Sequence, residues 1–218
     1  MGAAVQERQE APIAFPNADL VDLRFRALLP EADWNALPAA VRRRFSKRMV
    51  HGATVVYRGD VVSVEASPAG RLLAHAARLI GGPLPLVFDP GASVVSVTED
   101  VVGQGQVWSR MYVRPTGFPQ VIHSAKRFAG PTGLEEHVGA GVGMALTVAV
   151  ESEALVFRSA FYFFTVLGLR LRLPRWAEPG RLTIVHRDFG EGAFAFTLAL
   201  DHPWFGRLIG QDAVFKDT

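Results

Sequence analysis

The chain has 218 residues, 49% of them hydrophobic and 20% charged, with 23 basic against 21 acidic side chains and no cysteine. That is enough for one domain with a sizeable core, too apolar for a disordered chain, and too often interrupted by charge for a spanning helix. Lack of cysteine excludes disulfides, thiolate catalysis and Cys-based metal sites, and no basic block extends beyond Arg42-Arg43-Arg44, which argues against nucleic acid.

Residues 1–16 carry Gln, Glu and Pro without period and are expected to form a loose tail, with a single domain over 17–218. The first residues lack a secretory hydrophobic region, so a cytoplasmic protein is expected. Asp19 can cap a helix running through Leu29 to the stop at Pro30. Asn35 and Pro38 introduce a second helix with Val41 and Phe45 on one face and Arg42, Arg43 and Arg44 largely off it. A third helix has Ser67 as N-cap and Pro68 at its first position. Leu72, Leu73, Ala76, Leu79 and Ile80 share a side, and Gly81-Gly82 ends it. Arg71, His75 and Arg78 lie on its other side and read as a solvated face.

Almost everything else reads as strand: 54–65, 92–102, 106–114, 120–128, 141–150, 155–173, 181–189 and 193–200, separated by Gly- and Pro-containing turns. Many links are too short for parallel crossovers. The fold class is therefore α+β, a mainly antiparallel, strongly curved sheet or half-open β-barrel with the N-terminal helices packed against it.

Alternation along strands says which side chains share a face. Over 155–173 the odd positions place Phe157, Phe161 and Phe163 together, and over 193–200 Phe194 and Phe196 share a face. Such rings either fill a core or wall a cavity for an apolar ligand. On 106–114, Gln106, Trp108, Arg110 and Tyr112 oppose Val107, Ser109, Met111 and Val113. The second set reads as core. The first reads either as a polar patch in a pocket or as an outer face where Arg stems cover aromatic rings.

Gly139-Ala-Gly-Val-Gly143 lacks the flanking strand, helix and spacing of a dinucleotide site, and Leu134–Val138 is a poor buried strand. No G-x-S-x-G elbow is present, and Arg58-Gly59-Asp60 is a chance tripeptide. His123, His186 and His202 are better read as structural histidines than as metal ligands, and neither metal nor organic cofactor is expected. His186 and Asp188 share a strand face, so a carboxylate could orient that imidazole. The chemistry these residues suggest is one general acid or base, His186 or His123, in an aromatic pocket, with Arg110 or Gln106 polarising a carbonyl.

Residues from Pro174, Trp176 and Pro179 through Phe194, Phe196, His202, Pro203 and Gly206 to Gln211 and Phe215 follow one motif order. Together with 25–29, 56–59 and Trp108-Ser-Arg110-Met-Tyr112, that order resembles a bacterial domain of unknown function, DUF4166. Many members carry Glu where this chain has Gln106, which weakens a carboxylate catalyst on that strand. The resemblance transfers no catalytic residues. It implies an accessory or ligand-binding role near small-molecule metabolism, because the domain often follows saccharopine-dehydrogenase-like or short-chain reductase domains.

Three functions are compatible with these readings. The first is a cofactor-independent cyclase or isomerase acting on a hydrophobic, polyketide-like molecule of natural-product biosynthesis. Its catalytic candidates are His186, Arg110, Gln106 and His123, and its substrate would pack on Trp108, Tyr112, Phe157, Phe161, Phe163, Phe194 and Phe196. The second is a non-catalytic carrier of a lipid-like ligand, or an accessory module for a reductase partner. The third is an interaction domain whose aromatic residues are simply core.

Overall fold

The computed structural model describes residues 21–50 and 52–217. The expected tail and the Asp19 cap lie outside them. Between Val21 and Pro30 the chain makes a single 3-10 turn, Arg26–Leu28, in place of the expected helix. Two short helices follow, α1 (Glu31–Ala36) and α2 (Ala39–Phe45), each entered through a proline, Pro30 and Pro38. Proline's fixed φ suits a helix start and its missing N–H costs nothing there.

Eleven strands then form one wholly antiparallel sheet. They are β1 (Thr54–Ala66), β2 (Gly91–Asp100), β3 (Gly105–Tyr112), β4 (Gln120–Arg127), β5 (Glu135–Gly139) and β6 (Val142–Glu151), then β7 (Ala154–Val166), β8 (Leu169–Arg172), β9 (Arg181–Gly190), β10 (Ala193–His202) and β11 (Gly206–Lys216). The order is β6-β5-β4-β3-β2-β1-β11-β10-β9-β7-β8, and β6 also pairs with β7. Ten strands therefore close into a barrel, and β8 folds back on the outer part of β7.

Three strand assignments need correction. Residues 155–173 are a hairpin, not one strand, because Leu167 and Gly168 both adopt positive φ, the requirement of a tight I′ turn. Leu134–Val138, read as a poor buried strand, overlaps β5, whose acids are buried against cations. The last strand, β11, carries too mixed a pattern to stand out by alternation, and only the family motif with Gln211 and Phe215 points to it.

The helix α3 (Pro68–Ala76) begins as predicted, with Ser67 accepting the Gly70 N–H at 3.1 Å, and continues as a 3-10 turn through Ile80. Its buried side is Gly70, Ala74 and Ala77, however, and Leu72 and Leu79 are exposed. Close seating explains this. Gly70 rests directly on the Leu208 carbonyl, where a Cβ would come within 1.9 Å of the oxygen. Only small residues fit that contact, so the leucines turn outward.

The two helical segments close opposite ends of the barrel. At one end Phe45 of α2 packs against Phe25, Phe157 and His186, with ring centroids 5.1, 5.7 and 5.2 Å away. At the other, α3 lies over β11 and the end of β1. Among the described residues no helix is long and apolar enough to cross a membrane.

Candidate functional site

Closure of the barrel decides which strand faces look inward. On β3 the inward set is Gln106, Trp108, Arg110 and Tyr112. Gln106, Trp108 and Tyr112 are buried, while Val113 of the opposite set is half exposed. The face read as core, Val107, Ser109, Met111 and Val113, is the outer surface. On β7 a bulge at the register shift between Ala145 and Leu146 leaves Ala160 unpaired, and inside and outside exchange at that point. Phe157 points inward, but Phe161 and Phe163 lie opposite Tyr162 on the outer wall. There Arg172 covers the Phe161 ring at 4.3 Å and Arg170 covers Phe163 at 3.7 Å. These two rings are packed outer-wall residues and do not meet the interior.

From the α2 end inward, the barrel is layered. First comes an ion cluster. Arg44, expected off the buried face of its helix, is buried and bonds Asp217 at 2.8 Å and Asp188 at 2.7 Å, with its guanidinium 4.2 Å over the Phe194 ring. Asp188 thus holds Arg44 rather than His186. The imidazole, fully buried, has its Nε2 3.5 Å from Arg44 Nη1, and Phe194 and Phe196 pack on it at 4.9 and 4.6 Å. Burial, reinforced by the Arg44 cation, pushes the His186 pKa down to about 3, so the ring stays neutral. A cavity of about 20 Å³, enough for one water, adjoins His186, Phe194 and Gln106.

The next layer gathers Trp108, Tyr112, Phe157 and Phe196, with Arg110, around a void of about 60 Å³. Gln106 accepts from Trp108 Nε1, and Gln211 from the Tyr112 hydroxyl, each at 3.3 Å. Both polar contacts orient rings.

Below the rings lies a charged trio. Glu136 of β5 receives Lys126 Nζ at 3.1 Å and Arg110 Nη2 at 3.2 Å, and Arg110 Nη2 also donates to Ser124 Oγ at 3.1 Å. Lys126 and Glu136 are direct cross-strand partners on β4 and β5. Burial raises the Glu136 carboxyl, but the Lys126 and Arg110 cations overcome it and hold the pKa down to about 2. Burial, with repulsion from Arg110, presses the Lys126 ammonium downward against the pull of Glu136. Lys126, Glu136, Ser124 and Arg44 were not singled out from the sequence. The even positions of β4, which place Ser124 and Lys126 beside Gln120 and Ile122 on one face, are the signal that leads to the first of them.

The trio borders an interior cavity of about 270 Å³ between the strands and α3. Its walls are mainly aliphatic, among them Leu73, Ile80, Met144, Leu182 and Leu200, with Arg110, Ser124, Glu136 and Tyr162 as polar groups. Burial pushes the Tyr162 hydroxyl up to about 12, so it is a neutral donor. Arg110 lines both this cavity and the aromatic one.

Two of the predicted histidines lie elsewhere. His123 is exposed on the outer wall, hydrogen-bonded to Ser109 at 2.8 Å, and cannot serve the interior. His202 accepts the Trp204 N–H at 3.2 Å and stacks on Phe205. Of the other predicted site residues, Arg110, Trp108, Tyr112, Phe157 and Phe196 share one cavity, and His186, Gln106 and Phe194 adjoin it through the smaller one.

These features define a closed antiparallel β-barrel with aromatic clusters and an apolar, charge-bordered chamber inside. The profile of the family described as "Domain of unknown function (DUF4166)" matches residues 37–215, and the chain belongs to that family. No curated protein matches the chain at a significant level.

Proposed function

We propose that the barrel is a binding chamber for an apolar small molecule. The observation that carries this reading is the 270 Å³ cavity between α3 and the strands. Well-packed interiors leave few voids larger than a water, whereas ligand sites are concave, mostly apolar and dressed with a few converging polar groups. Arg110, Ser124, Glu136 and Tyr162 are such a group.

Carriage or presentation of a ligand ranks ahead of turnover, and the positions of the interior titratable groups support that order. A general base works best when it titrates near the working pH. Glu136 is held at about 2, His186 at about 3 behind the aromatic layer, and Tyr162 at about 12. Cyclase or isomerase action is the second reading, favoured by one observation: Lys126 is an amine moved toward neutrality beside an arginine that could hold an oxyanion. In that case Lys126→Met would abolish turnover while ligand binding persists.

The test of the first reading is titration with the neutral solvatochromic dye Nile red, together with native mass spectrometry of the purified protein. The wild type is expected to take up one dye molecule with a blue-shifted emission. Met144→Trp, which fills the cavity from β6, should weaken uptake by ~10-fold or more without lowering the melting temperature. Absence of uptake by the wild type, or equal uptake by the filled variant, would sink the reading.

A further inference from the structure

The charge arithmetic of the chamber says more about its occupant. Apart from the Arg44 cluster at the α2 end, the layer below the rings holds two cations, Arg110 and Lys126, on a single carboxylate, Glu136. Charges this deep are costly unless paired, and arginine cannot shed its proton to escape the cost. Burial, with Arg110 adding to it, presses the Lys126 ammonium downward even with Glu136 beside it. The unused donors of Arg110 show where a second negative charge belongs. Its Nη2 is committed to Ser124 and Glu136, and among the described residues nothing bonds its Nε or Nη1. The side chain nevertheless keeps 21% exposure and lines both interior cavities, so Arg110 meets empty volume with donors to spare. A guanidinium N–H left free beside a surplus positive charge suits a carboxylate, which it would hold by a charge-assisted hydrogen bond. Beyond it the walls are aliphatic on the α3 side and aromatic on the α2 side.

Resting on the binding reading above, we infer that the ligand is an apolar monocarboxylate, its carboxylate accepting from Arg110 Nη1 and its apolar body in the cavity under α3. Bound this way, the head brings the layer of Arg110, Lys126 and Glu136 to two cations and two anions. The acid enters as its anion and no bond to the protein forms.

Matched acid and alcohol probes separate the head from the body. Octanoate, dodecanoate, hexadecanoate and naphthylacetate are each compared by calorimetry with the corresponding alcohol, on wild type and on Arg110→Met. That substitution leaves Lys126 and Glu136 paired with each other, so the fold is expected to survive, and circular dichroism checks it. At least one acid should bind the wild type ~10-fold or more tighter than its alcohol, and Arg110→Met should erase the difference while keeping alcohol binding. Acids and alcohols binding equally would overturn the carboxylate inference and leave the chamber standing. A preference that persists in Arg110→Met would overturn the role of Arg110. If no acid and no alcohol binds while Nile red does, the inference falls and the chamber stands; if Nile red fails too, both fall.

Discussion

His186 shows how a side chain suited to catalysis can be assigned to structure instead. Sequence places it on a strand face with Asp188, two residues away, and that spacing suggests an oriented acid–base imidazole. In the barrel, Arg44 arrives from α2 and takes the carboxylate, 144 residues away in sequence, while Phe45, Phe194 and Phe196 surround the ring. The consequence is a pH dependence of stability with a definite sign. The folded-state pKa is depressed from 6.5 to about 3, so the ring is neutral in both states above 6.5 and the contribution there is constant. Below 6.5 the unfolded chain takes up a proton that the fold refuses, and stability falls by up to ~1.4 kcal/mol per pH unit toward pH 3. Glu136 joins this loss only below its unfolded value of 4.5. Between 6.5 and 4.5 the slope therefore belongs mainly to His186, with a smaller share from His137, which burial and Arg127 also hold down. Urea midpoints at pH 7 and pH 5 should differ clearly for the wild type and much less for His186→Gln. An unchanged difference would mean the ring is protonated in the fold.

At the scale of elements, the strands were legible wherever turn chemistry punctuates them, and the lining was legible only in part. On β3 both faces carry apolar groups, so alternation separates two sets without saying which looks inward; that depends on how the barrel closes. On β7 the single extra residue, Ala160, exchanges the faces between Phe157 and Phe161, and no glycine or proline marks the spot. The charged trio was hidden for another reason. Nothing in their own segments links Lys126 to Glu136, and only the β4–β5 register makes them partners. The helix α3 shows the opposite case. Its cap was readable, but its docking face consists of absences, since Gly70 and Ala74 bury by being small. Gly70→Ala drives a methyl into the Leu208 carbonyl, and backbone on both sides leaves little room to adjust. We expect a loss of about 1–3 kcal/mol, read as a lowered melting temperature, with faster ligand release because α3 covers the chamber. Wild-type stability in this variant would show that α3 is not seated on β11.

For the whole molecule, a chamber that must be filled or left empty couples occupancy to stability. A ligand bound only by the folded barrel at about a hundredfold its Kd adds ~2.7 kcal/mol, equivalent to a rise of roughly 5–10 °C in melting temperature for a chain of this size. Dodecanoate, if it binds as inferred, should give a concentration-dependent rise of that order by scanning calorimetry, and dodecanol a smaller one. No shift at saturating dodecanoate would contradict binding restricted to the folded barrel.

The pairing of β1 with β11 joins the beginning of the barrel to its end, with Arg58 opposite Lys216 and Ala66 opposite Ile209. During synthesis β1 acquires β2 early, but its second edge stays raw until residue 216 has left the ribosome. Until then the growing chain holds an open, curved sheet whose inner face displays Tyr57, Trp108, Phe157 and Phe194, rings that the finished barrel hides. Open edges beside exposed aromatic surface are what neighbouring chains add to. The hazardous species for this barrel is thus the nascent chain that still lacks β11, and β11 is the strand that removes the hazard.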